Sequence, residues 1–169
     1  SYRAMEFSRV IPNSDGAGVI EAVGAGVDPQ RVGEKVWVYQ AQFGRRFGTA
    51  AQYVALDAER AVMLPIEASF DVGACAGIPM MTAHRCVFAD GSVRGKTVLV
   101  QGGTGAVGWY AVQMARLDGA RVFATVSRRE QAQRRMEAGA EAGIDYKRED
   151  VAARLREITG EAEPLDRVV

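Results

Sequence analysis

The segment TVLVQGGTGAVG, residues 97–108, constrains this chain more than any other. An apolar run of strand length meets a glycine-rich turn, and a helical pattern, WYAVQMARL, begins at once. Gly103, Gly105 and Gly108 stand in G-x-G-x-x-G spacing. That spacing leaves bare backbone amides at the positive end of a helix, where a diphosphate can sit and where side chains would block it. Gly103 is expected in the tight turn, Gly105 where phosphates approach closely, and Gly108 where the helix packs on the strand. The strand before and the helix after separate this match from a chance run of glycines. The segment therefore reads as the start of a dinucleotide-binding unit.

The end of the next strand, RVFATV at residues 121–126, is the second discriminating position. A site preferring NAD carries Asp or Glu there for the ribose hydroxyls. This chain has Ser127, Arg128 and Arg129 instead. A carboxylate repels a 2′-phosphate, whereas a hydroxyl and a guanidinium bind it through charge-assisted hydrogen bonds, so the replacement favours NADPH, with Arg128 the first choice. The plainer alternative is a solvated start to the following helix.

Composition narrows the classes. Lys plus Arg equals Asp plus Glu at 21 each, so no global positive field points to nucleic acid. The loop QAQFGRRFG at residues 40–48 interleaves aromatics with arginines, but two arginines in nine residues read as an ordinary loop. No apolar run approaches the roughly 20 residues that span a bilayer, and no signal peptide opens the sequence. Two cysteines, Cys75 and Cys86, are too few for a secreted disulfide framework, and a cytoplasmic protein is expected. Both are expected as inert packing groups, and His84 as a half-buried helix residue. Two cysteines and one histidine without a CxxC element also disfavour a zinc site, so no metal ligand is assigned.

Along the chain, residues 16–64 are rich in short strand patterns: GVIEAV, EKVWVYQ, AQYVAL and AVMLP. After Pro65 comes an alanine-rich helical stretch, and a polar turn at residues 89–96 marks the expected junction between a region 1–89 and a region 90–169. Beyond it, strands near 97–101, 121–126 and 142–145 alternate with helices near 106–118, 129–138 and 150–159, before a fresh apolar start at residues 166–169. Such alternation implies a doubly wound parallel sheet. A dinucleotide fold uses about six strands in two halves. One half is present, so the sequence reads as part of a longer polypeptide.

IPNSDGAGVIEAVGAGV, VGEKVW, GTAAQYVALDAERAVMLP, GIPMMTAHRCVF, the glycine segment and AGIDYKRED together resemble the zinc-free quinone oxidoreductases of the medium-chain dehydrogenase/reductase superfamily. The resemblance spans nearly the whole chain. It implies an α/β fold: a partial GroES-like β-rich domain followed by the first half of an NADP-binding Rossmann domain. In zinc-dependent relatives the stretch matching residues 13–16 reads Gly-His-Glu-Gly, whereas this chain has Ser14 and Asp15 there, without the metal-binding histidine.

By matching positions the resemblance places Thr82 near the nicotinamide, Thr104, Gly105, Ala106 and Val107 on the diphosphate, and Ser127, Arg128 and Tyr146 around the adenosine phosphate. Tyr146 reads equally well as a cap on the sheet edge. Tyr2 would hydrogen-bond a substrate carbonyl, although the residues after it depart from the family's GxYP-like stretch. The implied activity is metal-free hydride transfer from NADPH to a quinone or other conjugated carbonyl. Enoyl-thioester reduction on the same scaffold and NADPH binding without turnover are the alternatives. The family also implies a homodimer.

Overall fold

The computed structural model describes residues 7–127, 138–160 and 165–169. The chain divides into two compact units, Ser1–Ile78 and Pro79–Val169. The polar turn at residues 89–96 thus lies inside the second unit.

The first unit holds a three-stranded antiparallel sheet of β1 (Gly16–Val19), β2 (Lys35–Val38) and β3 (Ala61–Met63). Its register pairs Gly16 with Val38 and Val36 with Met63. In β2, Val36 and Val38 are buried while Lys35 and Trp37 are only half-buried, the period-two alternation of a sheet with one covered face. Two sequence expectations are corrected here. Strand β1 begins at Gly16 and ends at Val19, earlier than the GVIEAV pattern suggested. AQYVAL, residues 51–56, forms no strand. Alternation favours an extended backbone, but a strand also needs a hydrogen-bonded neighbour. Among the described residues this segment has none, and Tyr53 is exposed.

Helix α1 (Phe70–Phe88) is broken at Gly77, whose φ of −45° and ψ of −112° are not helical, just before Pro79. A proline ring clashes with the carbonyl four residues back and removes one helical donor, so a kink at this place follows from the sequence. Cys75, Cys86, Thr82 and His84 are all exposed on α1. This corrects the expectation of packed cysteines and a half-buried histidine. The residues of α1 that enter the core are small or β-branched, Ala83 and Val87, and His84 lies over the Phe88 ring at 5.0 Å between centroids.

The second unit is a parallel sheet ordered β6 (Ala142–Asp145), β5 (Arg121–Val126), β4 (Thr97–Val100) and β7 (Arg167–Val168). Strand β4 is buried at every position, as a strand covered on both faces must be. Val98 and Val100 point into a cluster with Ala111, Val112 and Ala115 of α2 (Ala106–Leu117). Leu99, on the other face, joins Phe123, Ile144 and Leu155, the last from α3 (Val151–Thr159). Asp118, which ends α2, accepts from the Ser92 hydroxyl and the Val93 amide, both at 2.7 Å. The Ser92 hydrogen bond, with the Val93 amide second, holds its carboxyl below the usual carboxylate range. The apolar start at residues 166–169 becomes β7, tied to β4 by the Thr97 amide donating to Asp166 at 2.7 Å. The helix expected at residues 129–138 falls largely outside the described residues.

Candidate functional site

The order of the parallel strands locates a crevice. From β4 the chain winds to β5 and β6 on one side, then returns to place β7 on the other side of β4. At such a reversal the connections diverge above the carboxyl end of the central strand, and ligands bind in the opening. The glycine turn occupies that position.

The turn is pinned by β5. Gly102 takes a φ of +66°, which favours glycine, and its amide donates to Thr125 Oγ1 at 2.9 Å. The Gly103 amide donates to the Thr125 carbonyl at 3.2 Å, and the Gly105 amide closes the turn on the Gly102 carbonyl at 2.8 Å. A methyl group on Gly108 would come within 2.4 Å of the Gly102 carbonyl oxygen and 2.8 Å of Gly103 Cα. The third glycine of the motif therefore sets how closely α2 approaches the turn. Thr125 and the left-handed Gly102 were not singled out in the sequence. Their signals were a hydroxyl in a strand that is otherwise apolar after Arg121 and the doubled glycine after Gln101.

The residues present fit a diphosphate. Gly105 caps α2 without any side chain, and the first intrahelical bond here runs from the Trp109 amide to the Gly105 carbonyl at 2.9 Å. The amides of Ala106, Val107 and Gly108 come before that bond and have no helical carbonyl to receive them. Amides so placed, at the positive end of a helix, are the kind of donor that an anion site uses.

Ser127 directly follows β5, and Tyr146 follows β6, its amide donating to the Val126 carbonyl at 3.1 Å and its side chain exposed. Gly103 to Gly108, Ser127 and Tyr146 thus stand at the carboxyl ends of three adjacent parallel strands. Thr82 comes from a separate element, α1. Arg128 and Tyr2 lie outside the described residues.

The first unit holds a recess of about 400 Å³ beside Ser14, walled by Phe7, Val10, Phe43 and Ile78 with Gln40 and Arg45. Two non-glycine residues at this place carry left-handed backbones, Asn13 (φ +76°) and Gln40 (φ +51°). Such strained positions persist only where surrounding contacts enforce them. The Ala41 amide donates to the Ser14 carbonyl at 2.9 Å, and the Thr49 hydroxyl donates to the Asp15 carbonyl. Gly48 fits because a side chain would strike the Asn13 and Pro12 carbonyls, at 2.1 and 2.5 Å. The arginines of loop 40–48 are engaged locally: Arg45 donates to the Ala55 carbonyl and Arg46 lies over the Phe47 ring at 4.6 Å. Among the described residues no three His, Cys, Asp or Glu side chains gather as a metal site, and no helix is long and apolar enough to cross a membrane.

Residues 2–66 match the alcohol dehydrogenase GroES-like domain, and residues 106–168 match the zinc-binding dehydrogenase domain. The chain belongs to the medium-chain dehydrogenase/reductase superfamily. It is 34% identical over 151 residues to a quinone oxidoreductase of Homo sapiens, covering 89% of this chain and 45% of that protein. A crystal structure of an alcohol dehydrogenase superfamily protein from Novosphingobium aromaticivorans superposes with a TM-score of 0.82 at 34% identity, over 94% of this chain and 47% of that one. The Escherichia coli quinone oxidoreductase complexed with NADPH superposes at 0.75 with 30% identity, over 87% and 44%. The chain spans about half the length of the curated relatives it matches.

Proposed function

We propose that this chain binds NADPH over the glycine turn and promotes metal-free reduction of a quinone or related conjugated carbonyl. The observation that carries the reading is the glycine turn itself: it is locked to Thr125, three helical amides precede the first intrahelical bond, and the capping residue has no side chain. The structure of a 30% identical relative complexed with NADPH supports the cofactor, and relatives named quinone oxidoreductases support the acceptor class. When bound, the nicotinamide supplies a hydride, two electrons and one hydrogen; a proton from solvent completes reduction of a quinone to a hydroquinone.

The chain's residues contribute binding and orientation. The amides of Ala106, Val107 and Gly108 hold the diphosphate, and Ser127 with Arg128 recognises the 2′-phosphate through charge-assisted hydrogen bonds. Tyr146 stands where the adenosine end would lie, and Thr82 is assigned to the nicotinamide end. The recess beside Ser14 offers aromatic and aliphatic walls for a flat acceptor and an amide, Gln40, for its carbonyl. Ser14 stands where zinc-dependent relatives carry a histidine ligand, which supports chemistry without a metal. Tyr2 is a second candidate donor to the acceptor carbonyl.

Titration with each coenzyme tests the specificity. NADPH is expected to bind at least about tenfold more tightly than NADH, and Arg128→Ala to remove most of that difference by loss of one charge-assisted contact. Equal affinity of the unaltered protein for the two coenzymes would contradict the assignment.

A further inference from the structure

Asp15 is a half-buried carboxylate beside the recess. Its Oδ2 accepts from the Ile78 amide at 2.9 Å, the first donor after the Gly77 break in α1. Its Oδ1 is shut away from solvent and closes no hydrogen bond. The Gln40 backbone N–H faces the same carboxylate, and Gln40 is, with Asn13, one of two non-glycine residues with positive φ among the described residues. Burial is the largest influence on this group and pushes its carboxyl above the usual carboxylate range, with the Ile78 and Gln40 N–H groups opposing it. An apolar residue or an amide would avoid that desolvation.

Both backbones that face the carboxylate belong to residues lining the recess, and Ser14, next in the chain, lines it too. Space around the carboxylate is closed. A methyl group on Gly77 would fall 2.2 Å from Oδ1 and 2.3 Å from Cγ. The helix breaks at the one residue type that lets the carboxylate reach the Ile78 amide.

We propose that Asp15 is the positioning residue of the acceptor recess: its carboxylate fixes the backbones of Ile78 and Gln40, and so sets the width and polarity of the space that receives the quinone. This rests on the reading of the recess as the acceptor site. Asp15 touches neither acceptor nor coenzyme in this assignment; it acts through the two walls.

The test measures binding of 1,4-naphthoquinone and of NADPH separately, in the unaltered protein, in Asp15→Asn and in Gly77→Ala. Asp15→Asn keeps the size of the side chain but replaces one acceptor oxygen by a donor that opposes an N–H group. Quinone affinity is expected to fall about tenfold, the scale of one hydrogen bond to a charged group, with NADPH affinity unchanged. Gly77→Ala keeps the charge and displaces the carboxylate, so it should give the same split without depending on how Asp15→Asn folds. Adding Asp15→Ala to Gly77→Ala removes the contacts with Oδ1 and Cγ and leaves only Cβ, at 2.9 Å, so it should restore part of the thermal stability that Gly77→Ala loses. Quinone binding that survives unchanged in both single variants overturns the positioning role while leaving the acceptor reading intact. Absence of quinone binding by the unaltered protein overturns both.

Discussion

Gly108→Val is expected to abolish NADPH binding and to destabilise the second unit, whereas Gly105→Val should abolish binding alone. The difference follows from what each new side chain meets. At Gly108 even Cβ would lie 2.4 Å from a backbone oxygen and 2.8 Å from a backbone carbon, and backbone cannot swing aside as the end of a flexible side chain can. Helix α2 must then shift off the turn, taking Ala111, Val112 and Ala115 out of register with β4 and β5. Overpacking of this kind costs about 1–3 kcal/mol, and more where backbone is the obstacle. At Gly105 the only near atom is the Gly102 carbonyl oxygen at 3.4 Å, so the fold accepts a side chain that then projects over the amides meant for the diphosphate. Thermal unfolding and coenzyme titration of the two variants check the pair. Retention of NADPH binding by Gly105→Val would show that phosphates do not approach there.

Phe123→Ala is expected to cost about 3–5 kcal/mol, a large part of the roughly 5–15 kcal/mol that holds a domain together. Phe123 is fully buried in the middle strand of β6, β5 and β4, where it packs with Leu99, Ile144 and Leu155. That cluster is small and covered by α3, a nine-residue helix with one buried residue, so little neighbouring mass can move in to fill the cavity. The melting temperature of the second unit should fall by about 10 °C or more, read by circular dichroism. A change of only a degree or two would mean that this face of the sheet contributes little. The substitution lies on the face opposite the cluster that α2 forms with the sheet, so coenzyme affinity well below the transition should change far less than stability.

Much of the second unit was legible from residues alone, because local signals and tertiary packing agree there. RVFATV and AGID are the strands their composition announces, and the capping glycine at 105 starts a helix that runs to Leu117. The glycine turn was legible for the same reason: its shape is carried by backbone, and backbone freedom is written in glycine. What was not legible depends on partners distant in sequence. Thr125 looked like one more β-branched strand residue, yet its hydroxyl and carbonyl hold the turn more than twenty residues earlier. Asp15 looked like a replaced member of a metal-binding stretch, and its role emerged only when the Gly77 kink brought the Ile78 amide to it from 63 positions away. AQYVAL carries strand propensity without a strand to pair with. The cysteines misled because small sulfur side chains in an alanine-rich helix suggest packing, while the helix turns its Ala83 and Val87 side inward.

Backbone amide shifts during an NADPH titration test the account most directly. Saturable movement concentrated at Ala106, Val107 and Gly108, with smaller changes at Ser127 and little across β1 to β3, is the predicted result. Saturable binding that leaves those three amides unmoved would place the coenzyme elsewhere and contradict it.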